Sequence, residues 1–153
     1  MKSILLVDDE VSICVELQGT LQGFGYHVEV AHTFESALSW FGKSHFDVIL
    51  VEYNLTSEDP AQPRTANGTR LVRQLRALEP SVPILMYMAM EGEFYQTTSL
   101  DAGVDEVILK TGSFSSFLLR LQVHVPRLDQ RRGGRKIRQS TTMSRLRTVR
   151  SSI

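Results

Sequence analysis

Five short apolar runs, separated by stretches of helical periodicity, constrain this chain more than any other feature. They fall at residues 4–7, 27–31, 48–51, 84–88 and 106–109. The run Ile4-Leu5-Leu6-Val7 is short, continuous and rich in branched side chains, the pattern of a strand buried on both faces. Residues 27–31 alternate and read as an edge strand. Between the runs, apolar residues recur every three or four positions. Cys14, Leu17, Leu21 and Phe24 give a first helix, closed by Gly25. Thr33 can cap a second, with Phe34, Ala37, Leu38 and Phe41 on one face, Trp40 off that stripe and Gly42 at its end. Residues 53–69, with Pro60, Pro63 and Asn67-Gly68, read as a long loop. Leu71, Val72, Leu75 and Leu78 make a third helix, stopped by Glu79-Pro80. A weaker fourth helix over about 93–102 ends at Gly103. Ser113 caps a fifth with Phe114, Phe117, Leu118, Leu121 and Val125 on one face, and Pro126 stops it.

Five strands alternating with five helices predict an α/β fold, a parallel sheet covered on both faces with right-handed crossovers. The flavodoxin-like, doubly wound strand order 2-1-3-4-5 is the common solution at this size. Hydrophobic residues make up 42 % of 153, enough for one packed domain and a short remainder. The boundary is expected at 126. From Arg127 onward there are nine basic residues and one acid, leaving eight basic and sixteen acidic residues in 1–126. The zero net charge thus hides an acidic domain and a basic tail, 127–153, expected to be disordered alone. No run approaches the ~18 residues of a membrane span. The start runs straight into a strand without a signal-peptide cleavage region. The single cysteine, Cys14, fits a reducing cytoplasm and a small core role.

The charged residues that follow three of the strands carry the functional reading. Asp8-Asp9 follows the first, Glu52 the third and Lys110 the fifth. Ligands in such sheets bind beyond the carboxyl ends of the strands, at the switch between the first and third. Three carboxylates there repel one another and call for a cation; a hard divalent ion such as Mg²⁺ suits oxygen ligands. The plainer alternative is a solvated acidic rim paired with Lys110.

Ile4-Leu5-Leu6-Val7-Asp8-Asp9-Glu10, Phe46-Asp47-Val48-Ile49-Leu50-Val51, Asn67-Gly68-Thr69-Arg70-Leu71 and Ala102-Gly103-Val104-Asp105 with Leu109-Lys110 carry a resemblance. Over about residues 2–125 the chain resembles the receiver domains of response regulators in two-component phosphorelays. The resemblance implies that Asp9 ligates Mg²⁺ directly and Asp8 through water. It implies that Asn54 offers a backbone carbonyl, that position 52 accepts the phosphoryl group, and that Lys110 contacts that group as a point charge.

Four residues depart from the family pattern. Glu52 stands in place of the acceptor aspartate, and one added methylene moves its carboxylate by about 1.5 Å. Phosphoryl transfer rests on positioning and electrostatics, so such an error costs on the order of 10²-fold. Met88 replaces a Ser or Thr whose hydroxyl would bond the phosphoryl group; a thioether cannot donate. Val107 occupies the position of the switch aromatic. Thr111 replaces a proline in a cis bond; without proline the cis form costs ~3 kcal/mol, so a trans peptide and a shifted lysine loop are expected.

These losses along one relay predict a receiver-like protein that works independently of phosphorylation, as an interaction module and not an enzyme. Its protein partner, a histidine kinase or a downstream effector, is expected on the face of the fourth and fifth helices, where receivers also pair as homodimers. One alternative is a phosphorylatable receiver using Mg²⁺ and Glu52. Another is an adaptor that binds nucleic acid or an anionic surface through the tail, where Met143, Leu146, Val149 and Ile153 recur at helical spacing. The stretch from Glu52 to Gly68 is about eight residues longer than usual in the family, either a tolerated insertion or a lid beside the acids. His27, His32, His45 and His124 are scattered and suggest no ligand set.

Overall fold

The computed structural model describes residues 1–125. The expectations for Pro126 and for the tail lie outside the described residues. The elements run β1 Ser3–Val7, α1 Val11–Gly23, β2 His27–Ala31, α2 Phe34–Lys43, β3 Val48–Val51, α3 Arg64–Leu78, β4 Ile84–Met88, α4 Glu93–Ala102, β5 Glu106–Leu109 and α5 Phe114–His124. The five strands form one parallel sheet in the order β2-β1-β3-β4-β5. This is the doubly wound α/β architecture that the alternating pattern predicts.

Strand alternation divides the core between the two faces of the sheet. Leu5, Val7, Ile49, Val51, Ile84, Met86 and Met88 pack with Phe34 and Ala37 of α2, Leu71, Val72 and Leu75 of α3 and Ala102 of α4. Ile4, Leu6, Val48, Leu50, Leu85 and Ile108 pack with Cys14, Leu17 and Leu21 of α1 and Phe117 and Leu121 of α5. With both faces covered, β1 and β3 read as unbroken apolar runs.

The helix ends follow local chemistry. Gly25, at φ +91°, ends α1 in a left-handed turn: its N–H donates to the Gln22 carbonyl at 3.0 Å and that of Tyr26 to the Leu21 carbonyl at 3.2 Å. The Thr33 hydroxyl accepts from the Ser36 N–H at 3.1 Å, and the Ser113 hydroxyl from the Ser116 N–H at 3.1 Å. Gly103, at φ +115°, closes α4.

Two boundaries differ from the sequence expectation. Gly42 lies inside α2, which ends at Lys43 with extended Ser44 as its cap. More important, α3 begins at Arg64 and not after residue 69, so Asn67 and Gly68 are helical and buried. The Asn67 amide donates to the Leu55 carbonyl at 2.8 Å instead of making a turn. Gly68 is there for close approach: a Cβ would meet the carbonyl oxygens of Glu52 and Tyr53 at 2.4 Å each. The stretch from Glu52 to Gly68 is thus part loop and part helix.

Candidate functional site

The site is built where the sheet ladder runs one residue past the strands. The Asp8 N–H donates to the Ala31 carbonyl at 3.0 Å, that of Glu52 to Val7 at 2.9 Å and that of Lys110 to Met88 at 2.7 Å. Each backbone is thereby fixed by a neighbouring strand, and the three side chains converge. The Lys110 ammonium donates to Asp8 Oδ2 at 2.8 Å and also contacts Glu52 Oε2. Asp8 and Glu52 are only 1 % and 7 % exposed. The second oxygens are directed too: the Glu10 N–H donates to Asp8 Oδ1 at 2.9 Å, and the Asn54 N–H to Glu52 Oε1 at 3.4 Å.

Burial and the internal ion pair act in opposite directions on Glu52 and Lys110. Burial raises the Glu52 carboxyl above the usual carboxylate range, and Lys110 offsets the rise only in part. Burial alone would lower Lys110, but hydrogen bonds to Asp8 and Glu52 outweigh it and hold the ammonium above its ordinary value. The Tyr87 ring, 5.4 Å from the Lys110 nitrogen, adds a π-face to the same cation. Beneath, the Cys14 thiol donates to the Asp8 carbonyl at 3.3 Å; burial pushes it up to about 12, so it is a core group and not a nucleophile.

Asp9 is turned elsewhere. Its Oδ2 accepts from the Thr56 N–H at 3.2 Å, the Thr56 hydroxyl at 2.7 Å, and Arg64 Nε and Nη2 at 3.0 and 2.8 Å. Thr56 lies in the loop after β3, and Arg64 opens α3. The loop is fastened at α2, where the Phe34 N–H donates to the Thr56 carbonyl at 3.0 Å and the Glu58 N–H to Glu35 Oε2 at 2.8 Å. Although burial would raise the Glu35 carboxyl, this bond and that from the Ser57 hydroxyl hold it below the usual range.

The response regulator receiver domain family model matches residues 4–122. The chain belongs to the receiver family. It is 32 % identical over 111 residues to the transcriptional regulatory protein ZraR of Salmonella typhimurium, covering 72 % of this chain and 23 % of that one. It is 30 % identical over 122 residues to the sensory transduction protein RegX3 of Mycolicibacterium smegmatis, covering 80 % and 50 %. The chain therefore spans a quarter to a half of these relatives. Among solved structures, the non-phosphorylated HemR receiver domain of Leptospira biflexa superposes with TM-score 0.71 at 26 % identity, covering 84 % of this chain and 98 % of that one. Vibrio cholerae CheY4 gives 0.69 at 29 %, covering 80 % and 97 %.

Against the receiver pattern, the predicted residues other than Asp9 fall into three groups. Asp8, Glu52 and Lys110 come together, with Asn54 beside Glu52. Met88 is fully buried in the core, its carbonyl under Lys110, and Val107 packs half-buried against the same layer. Thr111 follows Lys110 through a trans bond, since no cis peptide occurs among the described residues, and its hydroxyl donates to Glu91 Oε1 at 3.4 Å. Receiver domains generally bind Mg²⁺ for phosphorylation. The proposed ligand set Asp8, Asp9, Glu52 and Asn54 does not fit that ion here. Lys110 holds the carboxylates of Asp8 and Glu52, Arg64 and Thr56 take Asp9, and among the described residues no group of three acids, histidines or cysteines is placed to hold a metal. Thr56, Arg64 and Tyr87 were not predicted from sequence. None of them left a signal in the sequence, because the helix start that places Arg64 beside Asp9 is set by tertiary contacts. No helix among the described residues is long and apolar enough to cross a membrane.

Proposed function

We propose that this receiver acts in a two-component pathway as a phosphorylation-independent, non-catalytic interaction module. The supporting observation is the buried contact of Lys110 with Glu52 at the acceptor position. An acceptor carboxylate must present a free oxygen in line with the phosphoryl donor. Glu52 has one oxygen against Lys110 and the other facing the Asn54 N–H. The internal pair resembles the charge arrangement a phosphorylated site would make, and it forms without a phosphoryl donor. With Met88 unable to donate and Val107 carrying no ring, no side chain at those positions reads a change of charge. One conformation is then held and presented to a partner.

That partner is a histidine kinase or a downstream effector, engaged through α4 and α5. Phe94 and Leu100 on α4 and Leu119 and Val123 on α5 are large, apolar and exposed, as interaction surfaces require. Incubation with acetyl phosphate and Mg²⁺, followed by intact-mass measurement, tests the reading. No acid-labile adduct is expected; one that disappears in Glu52→Gln overturns it.

A further inference from the structure

We propose that Arg64 is a built-in cation that takes the place of the divalent metal at Asp9, so that the chain neutralises its own acidic site. This inference concerns the cation and not the acceptor, and it can fail while the reading above stands.

Four donors from two residues converge on Asp9 Oδ2, two from Thr56 and two from the Arg64 guanidinium. Asp9 is the carboxylate that the receiver resemblance assigns to direct metal ligation. A guanidinium at hydrogen-bond distance satisfies its charge and repels a second cation.

The placement of Arg64 runs against local preference. It occupies the first position of α3, after Pro63, which offers no side-chain cap, and the first turn holds no acid. A cation there opposes the helix dipole. Asp9 supplies the compensating charge from another element.

The surroundings hold Arg64 in position. The Leu55 N–H donates to the Arg64 carbonyl at 3.1 Å, Asn67 clamps the Leu55 carbonyl at 2.8 Å, and Leu55 is fully buried. Thr56 is tied through its own carbonyl to Phe34 at 3.0 Å. The loop carrying Thr56 and the start of α3 are thus held by hydrogen bonds of their own, which lowers the entropy cost of keeping the Asp9 contacts. The Arg64 side chain is 57 % exposed. A lone surface pair of that kind would be weak; its strength here comes from the Thr56 bonds and the anchored helix start. Three carboxylates, Asp8, Asp9 and Glu52, then face two internal cations, Lys110 and Arg64.

The test is Mn²⁺ binding by the full chain, read by electron paramagnetic resonance, with Mg²⁺ titrations followed at the Asp9 and Thr56 amides. Wild type is expected to bind roughly tenfold or more weakly than Arg64→Ala. The gain must vanish when Asp9→Asn is added. Equal affinity in wild type and Arg64→Ala, or a gain that survives Asp9→Asn, overturns the proposal. If Arg64→Ala does not fold, Arg64→Gln keeps the stem without the charge and is read the same way. The wild type also reports directly: the Arg64 Nε–H resonance should stay in place as Mg²⁺ is added, and its displacement at physiological Mg²⁺ overturns the idea.

Discussion

Lys110 and Asp8, 102 residues apart, meet at 2.8 Å with less than an eighth of either side chain exposed. Glu52 joins from the end of β3, one of the two strands between them, so a single ammonium serves two buried carboxylates. Removing the cation should therefore cost more than the loss of a surface pair. Lys110→Met is expected to destabilise the domain by about 3–5 kcal/mol, because two buried charges lose their partner. Urea unfolding measures it; a change below about 1 kcal/mol would mean that solvent reaches the trio.

The same trio sets a pH dependence with a definite sign. Lys110 titrates above the ordinary lysine value of 10.5 in the folded protein. Its contribution is fully present below that value and is lost as pH rises through the folded one. Glu52 is also raised, from 4.5, so its contribution is present below 4.5 and is lost as pH rises through the higher folded value. The stability of wild type relative to Glu52→Gln should fall as pH rises from 4.5 toward neutrality. Relative to Lys110→Met it should fall only above 10.5. Thermal melts across both windows check the signs.

Gly68→Ala probes how tightly α3 seats against the acceptor strand. Its Cβ would lie 2.4 Å from the Glu52 and Tyr53 carbonyl oxygens, which are backbone atoms fixed at the sheet end. Either the helix start or the end of β3 must move. A loss of about 3 kcal/mol is expected, with amide shifts centred on Glu52 and Asn54. A neutral effect in urea unfolding would show that the helix start slides freely.

The fold was legible because both of its periods are strong. Continuous runs such as Val48–Val51 and helical faces such as Cys14, Leu17 and Leu21 point to buried strands and covering helices without ambiguity. Asp8, Glu52 and Lys110 were legible as a group because they follow strands that the fold makes neighbours. The start of α3 was not. Pro63 and Asn67-Gly68 carry turn chemistry, and only the close approach of Glu52, Tyr53 and Leu55 converts that pair to helix. Arg64 was invisible for the same reason: its partner Asp9 lies 55 residues away, and the contact exists only once the helix begins at Arg64.

The losses at the site need not be equal in weight, and restoring them one at a time ranks them. Glu52→Asp returns the family acceptor and draws the carboxylate back by about 1.5 Å. That change alone leaves Met88 buried without a donor and Asp9 in the hands of Thr56 and Arg64. Acetyl phosphate in Mg²⁺ should therefore give no adduct with Glu52→Asp. The triple variant Glu52→Asp, Met88→Thr, Arg64→Ala should give an acid-labile adduct, at a rate on the order of 10²-fold or more above the single variant. Intact-mass time courses separate the outcomes. If Glu52→Asp alone is phosphorylated as fast as the triple variant, the added methylene was the only barrier, and the Arg64 contact and the missing hydroxyl are incidental to it.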